Sequence, residues 1–171
     1  EITVTYTPLD KTPFPTTSSY DLVIIAPEKF ASTLQPLIDH KNNHGVRTYL
    51  KTTENIYAAG YDGIDKPEQI KYFIKDAIET EGITSVMLVG GLKNVVMAAP
   101  KDDTNQGTKG WWVPVRYTNL YDNPKFPLTA EAATYDPGVI SDLYYSDIYE
   151  DGGAFSSWDP NNDGIFASWN K

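Results

Sequence analysis

The order of apolar and polar positions between residues 20 and 91 predicts three strands that alternate with helices. "YDLVIIA" (20–26) and "TSVMLVGG" (84–91) are continuous apolar runs, which are typical of strands buried on both faces. "VRTYLKT" (46–52) predicts a further strand between them. The first 19 residues predict a short strand followed by a linker, because alternating Thr and apolar residues give way to "PFPTTSS".

Two helices are expected between these strands. The first follows Pro27, with an apolar stripe of Phe30, Leu34, Leu37 and Ile38. We expect Pro36 to split this helix or to start its main part, because an interior proline removes a backbone donor. "NNHG" closes the helix, and its glycine, Gly45, suits a left-handed position after the last turn.

The second helix has clear start and stop signals. Asp65 is placed as its N-cap and Pro67 lies in its first turn, while Gly82 suits its end. Its apolar stripe has the spacing of one helix face. The stripe consists of Ile70, Phe73, Ile74, Ala77 and Ile78.

The β-α-β-α-β order predicts the fold class. Right-handed crossovers give an α/β, Rossmann-like three-layer sandwich with a mainly parallel sheet in the order 2-1-3. Residues 20–171 are interpreted as one α/β unit after the linker of residues 1–19. Beyond a polar connection (92–110), "WWVPVRYTN" (111–119) predicts an added edge strand or hairpin, with the strand at an edge since Pro114 cannot donate to a ladder. A short strand is expected at 139–149.

Charge narrows the choice of partners. The net charge is −9, and residues 102–171 carry 11 acidic and 4 basic side chains, a net −7. This charge disfavours nucleic acid and anionic membranes as partners and favours a cation. No apolar stretch approaches the length of a membrane span. There is no cysteine, which excludes disulfides and a cysteine nucleophile within these residues.

The strongest candidate site is the loop in "WDPNNDGIF". Asp159, Asn161 and Asp163 fill the first, third and fifth positions of a calcium loop, Gly164 fills the sixth, and Ile165 would supply a backbone carbonyl. The twelfth position holds Asn instead of the bidentate Glu of an EF-hand, so an EF-hand is excluded. An ordinary Asx-turn remains the alternative.

Further calcium ligands are expected from Asp142 or Asp147, from water, or from residues beyond the chain. In an extended strand these two aspartates would point to opposite faces unless a bend lay between them. Two solvated carboxylates at the strand ends are the alternative interpretation.

Other candidate residues favour structural roles. His40 and His44 have zinc-ligand spacing, but Lys41 stands where a metalloprotease has Glu, and an exposed helix end is expected instead. Gly90-Gly91 is interpreted as a strand-end turn, because no phosphate-binding loop is present. Tryptophans fill cores or interfaces more often than they stack on sugars. These are Trp111, Trp112, Trp158 and Trp169.

Five segments occur in an order that resembles gingipain-type cysteine peptidases. They are "YDLVIIAPEKFASTLQPLIDHKNNHGVRTYLKT", "PEQIKYFIKDAI", "SVMLVGG", "SDLYYSDI" and "WDPNNDGIF", within residues 20–166. The resemblance implies a caspase-like fold and the first of two catalytic subdomains, with the catalytic Cys and His in the second. No catalytic role is therefore carried to His40 or His44. The family often has Gly-Asp where this chain has Gly90-Gly91.

The same resemblance implies a partner, a ligand and a location. The partner is the second subdomain of the same polypeptide, and the parent protein would cleave proteins or peptides outside the cell or at its surface. Calcium would be carried by Asp159, Asn161 and Asp163. The fragment alone would be inactive. The alternative is a non-catalytic secreted α/β module that binds glycan or protein with calcium; His-Gly and a Cys encoded downstream would separate the two.

Overall fold

The computed structural model describes residues 15, 17–93, 110–118, 139–162, 166 and 167. The strands are β1 (Leu22–Ala26), β2 (Thr48–Thr52), β3 (Ser85–Leu88), β4 (Tyr117–Thr118) and β5 (Val139–Ile140). The helices are α1 (Ala31–Asn43), α2 (Thr53–Ala58), α3 (Lys66–Glu81) and α4 (Leu143–Ser146), with a 3₁₀ turn at Glu28–Phe30. The predicted N-terminal strand lies outside the described residues.

The main sheet has the predicted topology. β1 is central and pairs in parallel with β2, where Leu22 lies opposite Thr48, and with β3, where Leu22 lies opposite Ser85. The strand order is therefore β2-β1-β3. The α/β class and the order 2-1-3 are confirmed.

Alternate side chains of β1 enter two different cores. Val23 and Ile25 pack in a cluster with the α3 side chains, including Phe73 and Ile74. Ile24 packs on the opposite face against Ile38 of α1. All five β1 residues are buried. The strand therefore requires a continuous apolar run, as its sequence has.

β3 is less buried than its sequence predicts. Val86 and Leu88 pack against the α3-side core, but Ser85 and Met87 are exposed, Met87 by 41 %. Met87 pairs with Ile24 and so shares the sheet face that α1 occupies. The prediction of burial on both faces is wrong for this strand, because in the described part of the chain that face is covered beside β1 but not beside β3.

The first helix is continuous through its proline. α1 runs from Ala31 to Asn43 with Pro36 inside it, and the proline ring lies on the exposed side. The prediction that Pro36 splits or starts the helix is therefore wrong. Its start is set earlier by the 3₁₀ turn. Gly45 follows the C-cap with φ of +81°, as predicted.

The second predicted helix, α3, has the expected ends. The Asp65 side chain accepts a hydrogen bond from the Glu68 backbone N–H at 3.1 Å, and Pro67 lies in the first turn. Gly82 ends the helix in the left-handed region, with φ of +74°. The short helix α2 was not predicted from the sequence. It begins where the Thr52 side chain accepts a hydrogen bond from the Asn55 N–H at 3.2 Å.

The segment after β3 corrects two strand predictions. Residues 111–119 do not form one strand: Trp111 makes an isolated bridge with Leu92, and only Tyr117–Thr118 forms β4. β4 pairs antiparallel with β5 in a separate two-stranded sheet. Residue 119 lies outside the described residues.

The strand predicted at 139–149 is also wrong beyond Ile140. α4 follows instead, with Asp142 as its N-cap and Asp147 as its C-cap. Tyr144 and Tyr145 are both buried. Neighbouring side chains point to opposite faces of a strand, so a helical turn brings both tyrosines toward one core more readily. Their T-shaped contact has a ring separation of 5.3 Å.

The close approach of Val113 explains why a glycine, Gly90, is found after β3. A Cβ atom at this position would lie 2.8 Å from both the Cγ2 atom and the backbone nitrogen of Val113. A Cβ at Gly91 would meet no described residue within 4 Å. Gly90 is therefore a packing requirement between the end of β3 and the 110–118 segment.

We predict that Gly90→Ala destabilises the chain by about 1–3 kcal/mol, as overpacking usually does. Gly91→Ala is the matched control and should change the free energy of unfolding by less than about 0.5 kcal/mol. Urea unfolding of the two variants measures both values. Equal stability of the two variants would contradict the close contact with Val113.

Candidate functional site

The residues just before the candidate cation loop bind the carboxylate of Asp147. Asp147 follows the last turn of α4. Its Oδ2 atom accepts hydrogen bonds from Trp158 Nε1 at 2.5 Å and from Ser156 Oγ at 3.2 Å. These hydrogen bonds hold Ser156 and Trp158, which lie just before the loop, against the end of α4. Asp147 therefore positions the loop through Trp158.

Asp159, the first residue of the loop, is buried, with only 5 % of its surface exposed to solvent. Its backbone N–H donates to Ser157 Oγ at 3.1 Å, and its carbonyl accepts from the Asn162 N–H at 3.2 Å. Asn162 has φ of +56°, a left-handed conformation that Asn tolerates better than most residues. The described part of the loop is thus a tight turn that begins at a buried aspartate.

The donor types fit a hard cation, since carboxylate and amide oxygens are the ligands of calcium. Asp159 and Asn161 lie in the described turn, whereas Asp163 and Ile165 lie outside the described residues. Asp142 is exposed at the start of α4. Within the described ranges, no three His, Asp or Glu residues are grouped closely enough to hold a metal. The calcium ligand set remains a prediction.

A buried arginine joins the segments next to this loop. Arg116 is fully buried, and its Nη1 and Nη2 atoms donate to the two carboxylate oxygens of Asp65 at 2.7 and 2.8 Å. Nη2 also donates to the Tyr144 hydroxyl at 3.1 Å. The guanidinium lies 3.7 Å from the centre of the Phe166 ring. One side chain thus joins α3, α4 and the residue that follows the cation loop.

A second buried cation lies on the same aromatic ring. Lys71 of α3 is fully buried, with its Nζ atom 4.2 Å from the centre of the Tyr144 ring. It donates a hydrogen bond to the Ser156 carbonyl. Burial lowers the pKa of Lys71 to about 8, while the nearby negative charge of Asp147 acts in the opposite direction. Lys71 of α3 therefore holds Ser156, which lies just before the loop, close to that helix.

Neither buried cation was predicted from the sequence. Lys71 was detectable, since it lies four residues after Pro67 and three before Ile74, inside the buried stripe of α3. Arg116 lies in an otherwise apolar stretch, which was interpreted as an edge strand. Its partner Asp65 is 51 residues away, so spacing gave no signal for the pair.

The aromatic and histidine candidates have mainly structural roles. Trp158 packs edge-on against Tyr144 at a ring separation of 5.4 Å. Trp112 packs edge-on against Phe30 at 5.7 Å. His40 and His44 are exposed at the end of α1, and a ring nitrogen of His44 lies 2.7 Å from the His40 carbonyl. Trp111 is half-buried. Trp169 lies outside the described residues.

Comparisons with known proteins identify the family of this chain. The model of peptidase family C25 matches residues 15–164, and the chain belongs to that family. Over 76 residues, 43 % of this chain, it is 32 % identical to gingipain R2 of Porphyromonas gingivalis. The matched stretch covers only 10 % of that relative's length. No solved structure gives a significant match.

The lowered pKa of Lys71 predicts how the stability of the chain changes with pH. The unfolded lysine has its ordinary pKa of 10.5, so between pH 8 and 10 the unfolded chain binds more protons than the folded chain. Lys71 therefore makes the free energy of unfolding rise with pH in this window, by at most about 1.4 kcal/mol per pH unit. Above about pH 10 the trend reverses, because burial raises the pKa of Tyr144 and Tyr145.

Urea unfolding between pH 7 and 10 tests this slope. Lys71→Met keeps the length of the side chain and removes the titrating group, so it should lack the rise. Lys75→Met removes a partly exposed lysine of the same helix and should keep it. If the free energy of unfolding changed with pH in the same way for the wild type and Lys71→Met, the burial of Lys71 would not affect the pH dependence of stability.

Proposed function

We propose that this chain is the first subdomain of the catalytic unit of a secreted or cell-surface cysteine endopeptidase. The observation that carries this proposal is the match of the peptidase family model to residues 15–164. The chain contains no cysteine, and its two histidines lie at the exposed end of α1. The subdomain therefore supports the catalytic residues, which a second subdomain of the same polypeptide supplies.

The chemistry of the proposed parent defines what this chain contributes. A thiolate beside a histidine attacks the carbonyl of a peptide bond, and the histidine returns the proton to the leaving amine. Such a reaction needs groups held at fixed positions. The described residues offer a packed support, with a parallel sheet that packs on α1 and α3 and an ion pair between the buried Arg116 and the partly exposed Asp65. Among the described residues no helix is long and apolar enough to span a membrane.

We predict that this chain alone leaves casein intact, whereas the full product of its gene cleaves it. Iodoacetamide should abolish the cleavage by the full product, because alkylation removes the thiolate nucleophile. The alkylated sample is the matched control. Cleavage of casein by this chain alone would overturn its supporting role. A full product with no thiol-dependent activity would favour the non-catalytic module that binds glycan or protein.

We further propose that the loop from Asp159 to Ile165 binds calcium. The support is the alternation of oxygen-bearing side chains, the tight turn at Asn162 and the six carboxylates, with no Lys or Arg, between residues 141 and 163. Asp159, Asn161, Asp163 and the Ile165 carbonyl would hold the ion, with Asp147 or Asp142 as further candidates. Bound calcium would neutralise part of this negative charge and stabilise the turn.

Thermal unfolding with calcium and with a chelator tests the proposal. Calcium at 100 times its dissociation constant should stabilise the chain by about 2.7 kcal/mol. Asp159→Asn keeps the side-chain shape and should reduce the stabilisation, whereas Asp151→Asn changes an exposed carboxylate nearby and should retain it. Melting that is the same in calcium and chelator, together with no heat of calcium binding, would contradict a site in this chain.

A further inference from the structure

An open groove lies at the carboxyl ends of β1 and β3. It has a volume of about 400 Å³ and is lined by residues that follow these two strands, together with the first turns of α1 and a tryptophan. Leu34, Val89 and Leu92 are among its apolar residues. The volume is within the range of small-molecule pockets.

The position of the groove follows from the sheet order. After β1 the chain passes through α1 to β2, whereas β3 lies on the other side of β1 and is reached through α3. The order therefore changes direction between β1 and β3. In open parallel sheets, ligands bind outside the carboxyl ends of the strands at such a point.

One wall of the groove is fixed by backbone hydrogen bonds. The Trp112 N–H donates to the Gly91 carbonyl and the Lys93 N–H donates to the Gly110 carbonyl, both at 2.8 Å. These bonds hold Trp112 across from Phe30, whose ring it meets edge-on. No atom of the described residues would lie within 4 Å of a Cβ at Gly91. The wall is thus formed before any ligand binds.

Two lysines converge on this tryptophan. The ammonium groups of Lys29 and Lys93 lie 4.0 and 5.3 Å from the centre of the Trp112 ring. Among the described residues neither lysine forms an ion pair with a carboxylate. In a chain of net charge −9, two exposed cations beside the Trp112 wall of the groove, without an acidic partner among the described residues, favour binding of an anion.

We propose that this groove binds an apolar carboxylate. The carboxylate lies between Lys29 and Lys93, and the hydrocarbon or aromatic part packs on Phe30, Leu34 and Val89. The apolar lining favours such a ligand over a bare inorganic anion. Two sources share this chemistry: the C-terminal residue of a peptide, and a free aromatic or aliphatic acid. The proposal does not depend on the peptidase assignment.

Binding of N-acetylphenylalanine, followed by amide and indole NMR signals, tests the proposal directly. We expect shifts at Gly90, Gly91 and the Trp112 indole, and affinity about three- to tenfold weaker for the corresponding amide, since exposed charge pairs contribute modestly. Added salt should reduce this difference. The tripeptide Ala-Ala-Phe and its amide form the second arm. Tighter binding of the tripeptide acid indicates a peptide C-terminus, and equal binding indicates a free acid.

Variants of single lysines distinguish binding of the acid at this site from nonspecific electrostatic attraction. Lys29→Met and Lys93→Met should each lose most of the preference for the acid over the amide, while Lys75→Met, on the distant helix α3, should keep it. The exposed positions of Lys29 and Lys93 leave the fold intact. Equal binding of acid and amide by the wild type, or no shifts near Gly91 at millimolar acid, would overturn the proposal.

Discussion

The arrangement of the C-terminal part depends on the ion pair between the buried Arg116 and the partly exposed Asp65. Asp65 Oδ1 accepts from both the Glu68 N–H and Arg116 Nη2, while Oδ2 accepts from Arg116 Nη1. One carboxylate therefore caps α3 and neutralises the arginine. Such a pair adds little net stability relative to an apolar core, but a partner left alone in the interior is costly. The pair consequently favours one arrangement of these segments over others.

The second buried cation extends this arrangement to the cation loop. Lys71 lies on the same tyrosine ring as Arg116 and binds the Ser156 carbonyl. One residue further along α3, Tyr72 stacks on Phe155 with ring centres 3.9 Å apart. Asp147 then holds Trp158 from the side of α4. The loop that begins at Asp159 is thus positioned by α3 and α4 together, so its geometry is coupled to the buried charges.

The sequence predicted the central sheet well because its signals are local. The run in β1 and the stripe and caps of α3 each lie within a few residues, and each has one physical interpretation. The wrong predictions occur where interactions in the folded chain override the local sequence pattern. Apolar character at 139–149 fits a strand, but burial of Tyr144 and Tyr145 together favours a helical turn. Met87 is apolar although its sheet face is uncovered in the described part of the chain.

The candidate site was predictable only in part. Asp159 and Asn161 follow a known ligand spacing, so the loop could be found without a structure. The contacts that hold it, from Lys71 to Ser156 and from Asp147 to Trp158, join positions that no local pattern links. The groove at the end of β3 depends on Trp112 meeting Phe30 across 82 positions of sequence, which only the folded chain shows.

A double-mutant cycle on Asp65 and Arg116, measured by urea unfolding, tests the central claim most directly. Asp65→Asn keeps an N-cap acceptor but leaves the arginine without a counter-charge, and should cost about 3 kcal/mol. Adding Arg116→Met should recover part of that loss, with a coupling energy above about 1 kcal/mol. Additive effects of the two substitutions would contradict the claim that this pair specifies how the C-terminal part packs on α3.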